Sequence, residues 1–554
     1  MRRSLRLICY LALCSTSCAG IRHAPPIANY NNHVGDRVEV SPDSYALPNG
    51  LLRKNSHGIW ELYVAGDPLE RGLASGVLTE ELLRRQEAAF VAQVQKLVPA
   101  RLHQWLLRGF LKHFARRLPN HIPPAYLAEI YGLSRSASDT FNFIAPPYPR
   151  LLYFHAAHDI GHALQDLALV GCTSFAAWGN HTADGKLLIG RNFDFYAGDA
   201  FSEEKVIAFI KPDRGYKHAM VTWAGMVGAV SGMNEKGLTV TINAGKSAIP
   251  YTAKMPVSLL TREILQHAST IDEAIYIARQ REVFVSESIM VGSAADGKAI
   301  LIEVSPHKMG IYEVPNATNV LICANHFQSE PYRSDKRNLR QLDESHSKYR
   351  FDRMSELIAS TAKLTPTAAA AMLRNMEGID DTNLGYGNEK AINQLLAHHA
   401  VIFQPEDRRM WVAAAPYQLG AFVAYDLDDV FERLAALDAN AMLAVDSLTI
   451  PADPFARSAD FVNYEKFRVR MRNLEAAIEA GTTVSDAELR DLQQLNPAFW
   501  KANFLIGEYY RGERRYADAL HHYRLATGKE VTTKLDSVLI QKRIMKCKRM
   551  IERK

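Results

Sequence analysis

The residue pattern of this chain changes abruptly at residue 172, and this change constrains the fold more than any other feature of the sequence. From about 61 to 171, apolar residues recur at intervals of three and four, which predicts amphipathic helices. From 172 onward the chain carries short strand-like runs separated by turn signals such as Asp184-Gly185. Pairs of helical segments interrupt these hairpins. The sequence therefore predicts an α+β fold of stacked sheets flanked by helices.

A chain of 554 residues is long enough for several domains, and the pattern divides it into five parts. We expect a signal peptide over 1–18, a Pro/Asn-rich tether over 19–60, a helical N-terminal part over 61–171, the layered core over 172–426 and a helical region over 430–554. The composition, 47% apolar and 23% charged, is that of a globular protein. A net charge of +5 is weak for this length, so no nucleic acid partner is expected.

The N-terminus has the features of an export signal. Three arginines precede the apolar run LICYLALC, which is too short to span a membrane, and small residues precede Cys18. This pattern resembles a bacterial lipoprotein signal, in which Cys18 becomes the lipidated first residue, and a plain cleaved signal peptide is the alternative. We therefore expect an exported protein, periplasmic or attached to the outer membrane by a lipid anchor.

The C-terminal region has a spacing of small and large residues similar to that of one tetratricopeptide repeat (TPR). The spacing is formed by Ile506, Gly507, Tyr510, Ala519, Tyr523 and Ala526. Because the small residues let two antiparallel helices approach closely, we expect a TPR-like helix pair packed on its neighbours, with a groove for a protein partner as the alternative. The basic end, QKRIMKCKRMIERK, is expected to be a solvated helix face, and docking to an anionic membrane surface is the alternative.

Cys172 is the residue at which we expect the chemistry to take place. The six cysteines form no disulfide framework, and an exported protein keeps few free thiols. Cys172 follows Gly171, whose missing side chain permits close approach. Its thiol can attack the preceding carbonyl, and hydrolysis of the resulting ester-like intermediate exposes an α-amine with a pKa of about 8, which can act as the base. From the local residues alone, a buried strand cysteine without chemistry is the alternative.

Polar residues farther along the chain favour the catalytic interpretation. Arg191 and Asp194 lie on the second strand of the first hairpin, where a cation would favour thiolate and an anion would hold the new amine. Because they are an odd number of residues apart, both can serve one site only if a bulge or the strand end intervenes. Asn243 and Asn325 interrupt apolar runs with amides that are suitable oxyanion donors. The alternatives are an exposed ion pair and two polar strand ends.

Five motifs, taken in this order, resemble the N-terminal nucleophile (Ntn) hydrolases. They are GCTSFAAWG, GRNFDF, SGMNEKGLTVTINAG, CANHF and VIFQPEDRRMWVA. The resemblance is closest to the branch of the penicillin acyltransferase (acyl-coenzyme A:6-aminopenicillanic acid acyltransferase, peptidase C45), beside choloylglycine hydrolases and acid ceramidase. It covers roughly residues 60 to 426. It implies a four-layer αββα core and self-cleavage between Gly171 and Cys172.

The same resemblance implies the role of each catalytic residue. Cys172 would be the nucleophile and Arg191 would lie beside its thiolate. Asp194 would hold the new α-amine. Asn243 and Asn325 would line the oxyanion hole.

Two further sets of residues are candidates for substrate binding. The choloylglycine hydrolases also use a late arginine, for which Arg408 and Arg409 are candidates here, and Arg409 falls on the strand side. His155, His158 and His162 share one face of a helix shortly before the predicted cut. Packing near the nucleophile, a role in processing or substrate binding, and metal binding are the alternatives for this face. The glutamate of a His-Glu-x-x-His zinc helix is absent, so no metal or other cofactor is expected.

The function predicted from these features is that of an exported, self-cleaving amidase or acyltransferase that acts through a Cys172 acyl-enzyme. The expected substrate is a small N-acylated molecule, with a lipid-like N-acyl amide favoured. Hydrolysis is favoured over transfer because coenzyme A should be scarce outside the cytoplasm, and the cleaved chains are expected to stay associated. The alternatives are an acyl-coenzyme A-dependent N-acyltransferase, a non-catalytic surface lipoprotein that binds a partner through its TPR-like tail, and a metalloenzyme built on the histidine helix.

Overall fold

Two β-sheets stacked face to face form the centre of the molecule. The computed structural model describes residues 21, 24–163, 171–248, 250, 252–315, 317–437 and 442–553. The strands of this part are β1 Val38–Ser41, β2 Ser44–Leu47, β3 Gly50–Lys54, β4 Trp60–Gly66, β5 Thr173–Ala177, β6 Leu188–Phe193, β7 Val206–Pro212, β8 His218–Thr222, β9 Ser231–Asn234, β10 Leu238–Ala244, β11 Glu287–Ser293, β12 Lys298–Val304, β13 Met309–Tyr312, β14 Val320–Cys323, β15 His399–Gln404, β16 Arg409–Ala413 and β17 Phe422–Asp426.

The strands form an 11-stranded sheet in the order β1-β2-β3-β4-β7-β8-β9-β10-β11-β12-β13 and a 6-stranded sheet in the order β14-β5-β6-β15-β16-β17. Neighbouring strands are antiparallel, except that β4 and β7 run parallel. Each predicted strand run after residue 172 is found as a strand. Short connections explain antiparallel pairs such as β5–β6 and β7–β8, whereas the β4–β7, β5–β14 and β6–β15 pairs join strands that are far apart in the chain.

Helices cover the outer faces of both sheets, and further helices follow the last strand. They are α1 Pro68–Leu78, α2 Glu80–Leu97, α3 Arg101–Phe114, α4 Pro124–Ser134, α5 Pro147–Ala163, α6 Val257–His267, α7 Ile271–Arg279, α8 Lys336–Glu344, α9 Ser347–Ser360, α10 Pro366–Leu373, α11 Leu427–Ala435, α12 Ala459–Ala480, α13 Asp486–Leu495, α14 Trp500–Gly512, α15 Tyr516–Thr527 and α16 Lys534–Glu552. Within the described ranges, no helix combines the length and the apolar character needed to cross a membrane.

The buried apolar residues show how these elements are layered. One core lies between the sheets, where side chains such as Phe209 of the larger sheet meet side chains such as Phe403 of the smaller one. A second core lies between the larger sheet and the helices α1, α2, α4, α5, α6 and α7. A third lies between the smaller sheet and α9 and α10. The predicted four-layer αββα arrangement is therefore confirmed.

The C-terminal helices have an apolar core of their own. In this region α14 packs against α15, and the backbone of Gly507 lies against the ring of Tyr523, where a Cβ atom would approach ring carbon atoms to 2.7 Å. The small residue therefore allows the close helix contact that the sequence predicted. The assignment of this pair to a tetratricopeptide repeat stays a prediction.

The predicted tether over 19–60 is wrong, because residues 38–54 form β1, β2 and β3 of the larger sheet. Leu47 pairs with Gly50, so Pro48 and Asn49 form a tight hairpin turn. Proline and asparagine are common in such turns, and strands of only four or five residues give little periodic signal. Composition alone therefore does not distinguish these short strands from a linker.

Two of the predicted domain boundaries are also corrected. The part over 61–171 is not purely helical, since β4 pairs along its whole length with β7 of the core. The core also does not end at 426, because α11 contributes Leu427, Val430, Phe431 and Leu434 to the apolar layer between the sheets. Both corrections have one cause: amphipathic patterns show that an element has a buried face but do not show which layer covers it.

Leu51 and Val40 test whether the N-terminal strands belong to the core. Leu51 of β3 is 1% exposed between the sheets, whereas Val40 of β1 is 45% exposed. Leu51→Ala should lower the free energy of unfolding by about 2–5 kcal/mol, because it removes buried contacts and leaves a cavity. Val40→Ala should change it by about 0.5 kcal/mol or less. Guanidinium unfolding curves measure both values, and equal effects would contradict the strand assignment.

Candidate active site

Cys172 directly precedes β5, which lies between β14 and β6 in the smaller sheet. The strand register pairs Thr173 with Asn192 on β6. One step beyond the strand, the N–H of Gly171 donates to the carbonyl of Asp194 at 3.1 Å. This bond continues the ladder past Cys172 and fixes the peptide that precedes it. Cys172 itself is only 1% exposed.

Arg191 of β6 is fully buried beside the thiol. Its Nη2 atom lies 3.9 Å from Cys172 Sγ, and its guanidinium stacks on the ring of Phe193 with 4.2 Å between Cζ and the ring centroid. Nη1 and Nη2 also donate to the carbonyls of Val230 and Ile242, which belong to the larger sheet or lie next to it. The predicted position of this arginine next to the sulfur is therefore found.

A neutral histidine completes the surroundings of Arg191. His399 Nε2 lies 3.3 Å from Arg191 Nη1 and 2.9 Å from Ser231 Oγ. Burial holds the pKa of His399 well below its usual range, and the neighbouring His398 and Arg191 lower it further. A neutral ring can accept a hydrogen bond from the guanidinium. His399 begins β15, directly after His398, and neither histidine was recognised in the sequence.

Asp194 is the first residue after β6, so the predicted strand end does intervene between it and Arg191. Its side chain is fully buried, and Oδ1 has no hydrogen-bond partner in the described part of the chain. Burial raises the pKa of Asp194 to about 7, although the charges of Arg350 and Arg191 act in the opposite direction. A carboxylate oxygen without a partner, opposite the peptide of Gly171, is suited to receive an ammonium group at residue 172.

The thiol is protonated in this closed arrangement. Burial raises the pKa of Cys172 to about 11; Arg191 lowers it, and Asp194 and Glu287 raise it. Desolvation therefore outweighs the attraction of the neighbouring cation. The nucleophile needs a base before it can act.

The two asparagines connect the sheets close to Cys172. Asn243 accepts a hydrogen bond from Ser174 Oγ at 2.7 Å and donates from Nδ2 to the carbonyl of Cys323 at 3.0 Å. Asn325 donates from Nδ2 to the carbonyl of Ala244 at 3.0 Å. Each Nδ2 therefore already serves a backbone carbonyl, and the oxyanion role of both residues stays a prediction.

Arg350 of α9 is a site residue that the sequence analysis missed. Its fully buried guanidinium donates to the carbonyl of Cys172, to Thr173 Oγ1 at 2.6 Å and to Asn325 Oδ1 at 2.6 Å. It thus fixes the strand start that carries the nucleophile. The available signal was a cation on the apolar face of an amphipathic helix, since Met354 and Ile358 share that face.

Glu287 is a second residue that was missed. It begins β11, is fully buried, and neither carboxyl oxygen has a hydrogen-bond partner in the described residues. Burial raises the pKa of Glu287 well above its usual range, and Asp159 raises it further. The carboxyl group faces the helical layer, because Ile289, two residues on, packs in that core.

Arg409 does not belong to this site, and that prediction is wrong. It pairs with Gln404 at the end of β15 that lies away from His399, and its guanidinium is 3.3 Å from Asp426. Arg408 pairs with Asp428 instead. The motif places both arginines at a core strand but does not show which end of the sheet they reach. Because each strand residue advances the chain about 3.3 Å, the two ends of a strand lie far apart.

The histidine helix is α5, which packs on the larger sheet. His155 is buried, its Nδ1 lies 2.8 Å from the carbonyl of Leu151, and its Nε2 accepts from the N–H of Val227 at 2.9 Å. Burial lowers the pKa of His155 to about 4, so this neutral ring has a packing role. The side chains of His158 and His162 lie outside the described residues, as does Cys18. Among the described residues, no three potential ligands cluster as a metal site would require.

A narrow crevice is lined by Phe195, the residue after Asp194. It has a volume of about 40 Å³, which is room for only a few atoms. Its aromatic and apolar walls include Phe90, Phe154, Phe195, Phe201, Trp223 and Met226. Phe90 and Phe154 belong to the helical part before Cys172, so the two segments of the chain share this crevice.

A cysteine at the start of a central strand, preceded by glycine and set in four αββα layers, defines the class of N-terminal nucleophile hydrolases. Residues 181–417 match the sequence profile of the acyl-coenzyme A:6-aminopenicillanic acid acyl-transferase family. Over this segment the chain is therefore similar to that family, and the resemblance seen in the sequence is confirmed. The match begins after Cys172, so the nucleophile is assigned from the geometry.

The relatives are distant. An uncharacterized protein of Archaeoglobus fulgidus is 24% identical over 285 residues, which covers 48% of this chain and 46% of the relative. Protein dcd1B of Dictyostelium discoideum is 23% identical over 287 residues, covering 48% and 55%. The chain thus spans about half the length of these curated relatives. Among solved structures, the Caenorhabditis elegans ortholog of N-acylethanolamine-hydrolyzing acid amidase is 17% identical with a TM-score of 0.31, covering 42% of this chain and 93% of that one.

The raised pKa of Asp194 predicts how the stability of the protein depends on pH. An acid with a folded-state pKa of about 7 instead of 3.8 binds more protons in the folded than in the unfolded state between these values. Its contribution to stability is complete below about pH 4 and is lost as the pH rises to 7. In the Cys172→Ala background, Asp194→Asn should therefore gain thermal stability relative to its parent from pH 4 to 7, with a constant difference above pH 7.

Thermal unfolding at several pH values measures this difference. Asp272→Asn, which alters an exposed carboxylate of α7, is the control and should follow the parent. A constant difference between Asp194→Asn and the parent over the whole range would contradict the burial of an ionisable Asp194.

Proposed function

We propose that this protein is a self-cleaving cysteine amidohydrolase that cuts itself between Gly171 and Cys172 and then hydrolyses N-acyl amides with apolar acyl groups. The observation that carries the proposal is the arrangement around the thiol. Arg191 lies 3.9 Å from Sγ, and Asp194, opposite Gly171, keeps a buried carboxylate oxygen free in the described structure. A strand cysteine with only a packing role would need neither group.

Self-cleavage would begin with attack of Cys172 Sγ on the carbonyl carbon of Gly171. Asp194 is suited to take the thiol proton, because its pKa of about 7 makes it a stronger base than an ordinary aspartate. The carbon–nitrogen bond breaks and the proton passes to the departing amine. This step leaves a thioester at Sγ, which water hydrolyses to a Gly171 carboxylate and a free thiol.

Substrate hydrolysis would use the new terminus. The α-amine of Cys172, held by Asp194, takes the thiol proton, and the thiolate beside Arg191 attacks the acyl carbonyl. The leaving amine takes that proton as the amide bond breaks. Water then hydrolyses the acyl-enzyme and regenerates the thiol.

The aromatic crevice supports an apolar, lipid-like acyl group. Eight of its lining side chains are large and apolar, and one of them is Phe195, the residue after Asp194. Since it is narrow and Cys172 is buried, the uncleaved chain is closed to substrate. Cleavage of the segment before Cys172 would be the step that gives access, while the β4–β7 pairing would keep the halves together.

Acyl transfer is the second candidate function, because the matched family is named for an acyltransferase. In that case an amine, in place of water, would resolve the acyl-enzyme. The proposed export, in which Cys18 is either lipidated or removed with the signal, favours hydrolysis, because coenzyme A thioesters are products of the cytoplasm.

Self-cleavage is tested by the mass and N-terminal sequence of the purified protein. The parent should give two fragments, one of which begins Cys-Thr-Ser-Phe, and Cys172→Ala should remain intact because it lacks the attacking sulfur. Cys323→Ala is the matched control, since Cys323 is equally buried in the core between the sheets, and it should be cleaved normally. An unmutated protein that remains uncleaved would contradict the proposed function.

The acyl pocket is tested by filling the crevice. Ala224 is 7% exposed and lines it, so Ala224→Leu should obstruct long acyl chains. We expect kcat/KM for a dodecanoyl amide to fall at least about tenfold, the effect of one misplaced methyl or methylene contact, while an acetyl amide is unaffected. Ala435→Leu, at an exposed position of α11, is the control. An equal loss for both substrates would argue against this crevice as the acyl site.

A further inference from the structure

Gln394 is a buried amide that none of the functions above uses. It lies in the connection between α10 and β15 and is 2% exposed. The neighbouring backbone is fixed, because the N–H of Asn393 donates to the carbonyl of Asn375 at 2.8 Å and Asn393 Oδ1 accepts from the N–H of Leu395 at 2.9 Å. The side chain of Gln394 is therefore held by a structured turn.

The amide of Gln394 is directed at the bond that would be cut. Its Nε2 atom donates to the carbonyl oxygen of Gly171 at 2.7 Å, a full-strength hydrogen bond. The same nitrogen lies 3.5 Å from Asp194 Oδ2. Among the described residues, no other side chain donates to the Gly171 carbonyl.

The identity of residue 171 fits this contact. A Cβ atom on Gly171 would lie 2.5 Å from Gln394 Nε2 and 2.7 Å from its Oε1. Only a glycine therefore allows the buried amide to reach the carbonyl. The glycine before the cysteine, which was visible in the sequence, thus has a structural reason here: close approach of a hydrogen-bond donor.

We propose that Gln394 is the oxyanion donor of the self-cleavage step, an assignment that rests on the proposed function. When Sγ attacks the carbonyl carbon of Gly171, the electron pair of the C=O bond moves to the oxygen. The N–H of Gln394 then stabilises the negative charge on that oxygen until the bond to the Cys172 nitrogen breaks. A donor that is already in place costs no reorganisation at the moment of reaction.

The assignment is specific to self-cleavage. The carbonyl that Gln394 binds leaves with the N-terminal fragment as part of a carboxylate, so this donor has no fixed acceptor at residue 171 once the chain is cut. What remains in the cleaved site is its contact with Asp194. Gln394 should therefore matter much more for the rate of the cut than for later hydrolysis of substrate.

The test compares Gln394→Met, which keeps a similar volume but has no donor, with Gln266→Met. Gln266 is the matched control, because it is also buried and its Nε2 donates to a backbone carbonyl, that of Arg214, at 2.8 Å. Removal of one oxyanion donor should slow self-cleavage about 100- to 1000-fold. The rate is followed by labelling the new N-terminal cysteine with 2-cyanobenzothiazole, and Gln266→Met should cleave at the parent rate.

A bypass form separates this role from a general defect. Residues 1–171 and 172–554 are produced together as two separate polypeptides, the second preceded only by an initiator methionine that the cell removes, so that Cys172 is free without self-cleavage and Gly171 is kept. In this form Gln394→Met should hydrolyse a dodecanoyl amide within about tenfold of the parent. Cleavage of Gln394→Met at the parent rate would overturn the assignment, and so would an equally large loss in the bypass form. Failure of the parent to cleave would instead overturn the proposed function.

Discussion

The burial of one guanidinium, that of Arg191, is the interaction on which the rest of the site depends. Arg191 projects from β6 of the smaller sheet, yet its nitrogen atoms bind the carbonyl of Ile242 in the larger sheet and the hydroxyl of Ser231. An unpaired buried charge costs several kcal/mol, so the sheets can stack here only with these acceptors in place. The same stacking holds the cation beside Cys172 Sγ. The same contacts of Arg191 therefore allow the two sheets to stack and hold its cation beside the thiol.

The segment before Cys172 is part of the core and does not behave as a detachable leader. It supplies four strands of the larger sheet and helices of the adjoining layer. A buried ion-pair group ties these helices to the later chain, since Glu129 of α4 binds Arg71 of α1 and lies 3.5 Å from Arg262 of α6. A cut at residue 172 would thus open a site without dissolving the fold.

The sequence was sufficient for the layers and for the residues next to the thiol, because local patterns determine both. Strand alternation shows which runs form sheets, and the short spacing from Cys172 to Asp194 spans a single hairpin. Arg350 and Gln394 could not be found this way. Arg350 contacts Cys172 from helix α9, about 180 residues later in the chain, and Gln394 contacts Gly171 from a turn about 220 residues later. Only the packing of α9 and of the turn at 393–395 brings them near. Arg409 failed for the converse reason: the strand was right, but its end of the sheet was not.

Burial also determines when the site carries charge. In the uncleaved chain it raises the pKa of the Cys172 thiol to about 11, that of Glu287 well above its usual range and that of Asp194 to about 7. A new ammonium at residue 172 would add a positive charge facing Asp194, and an opposite charge lowers the pKa of a carboxyl or thiol group. Under the proposed mechanism, the cut therefore provides the charge that favours thiolate. Until then the thiol is buried and protonated, and a protonated thiol is a poor nucleophile.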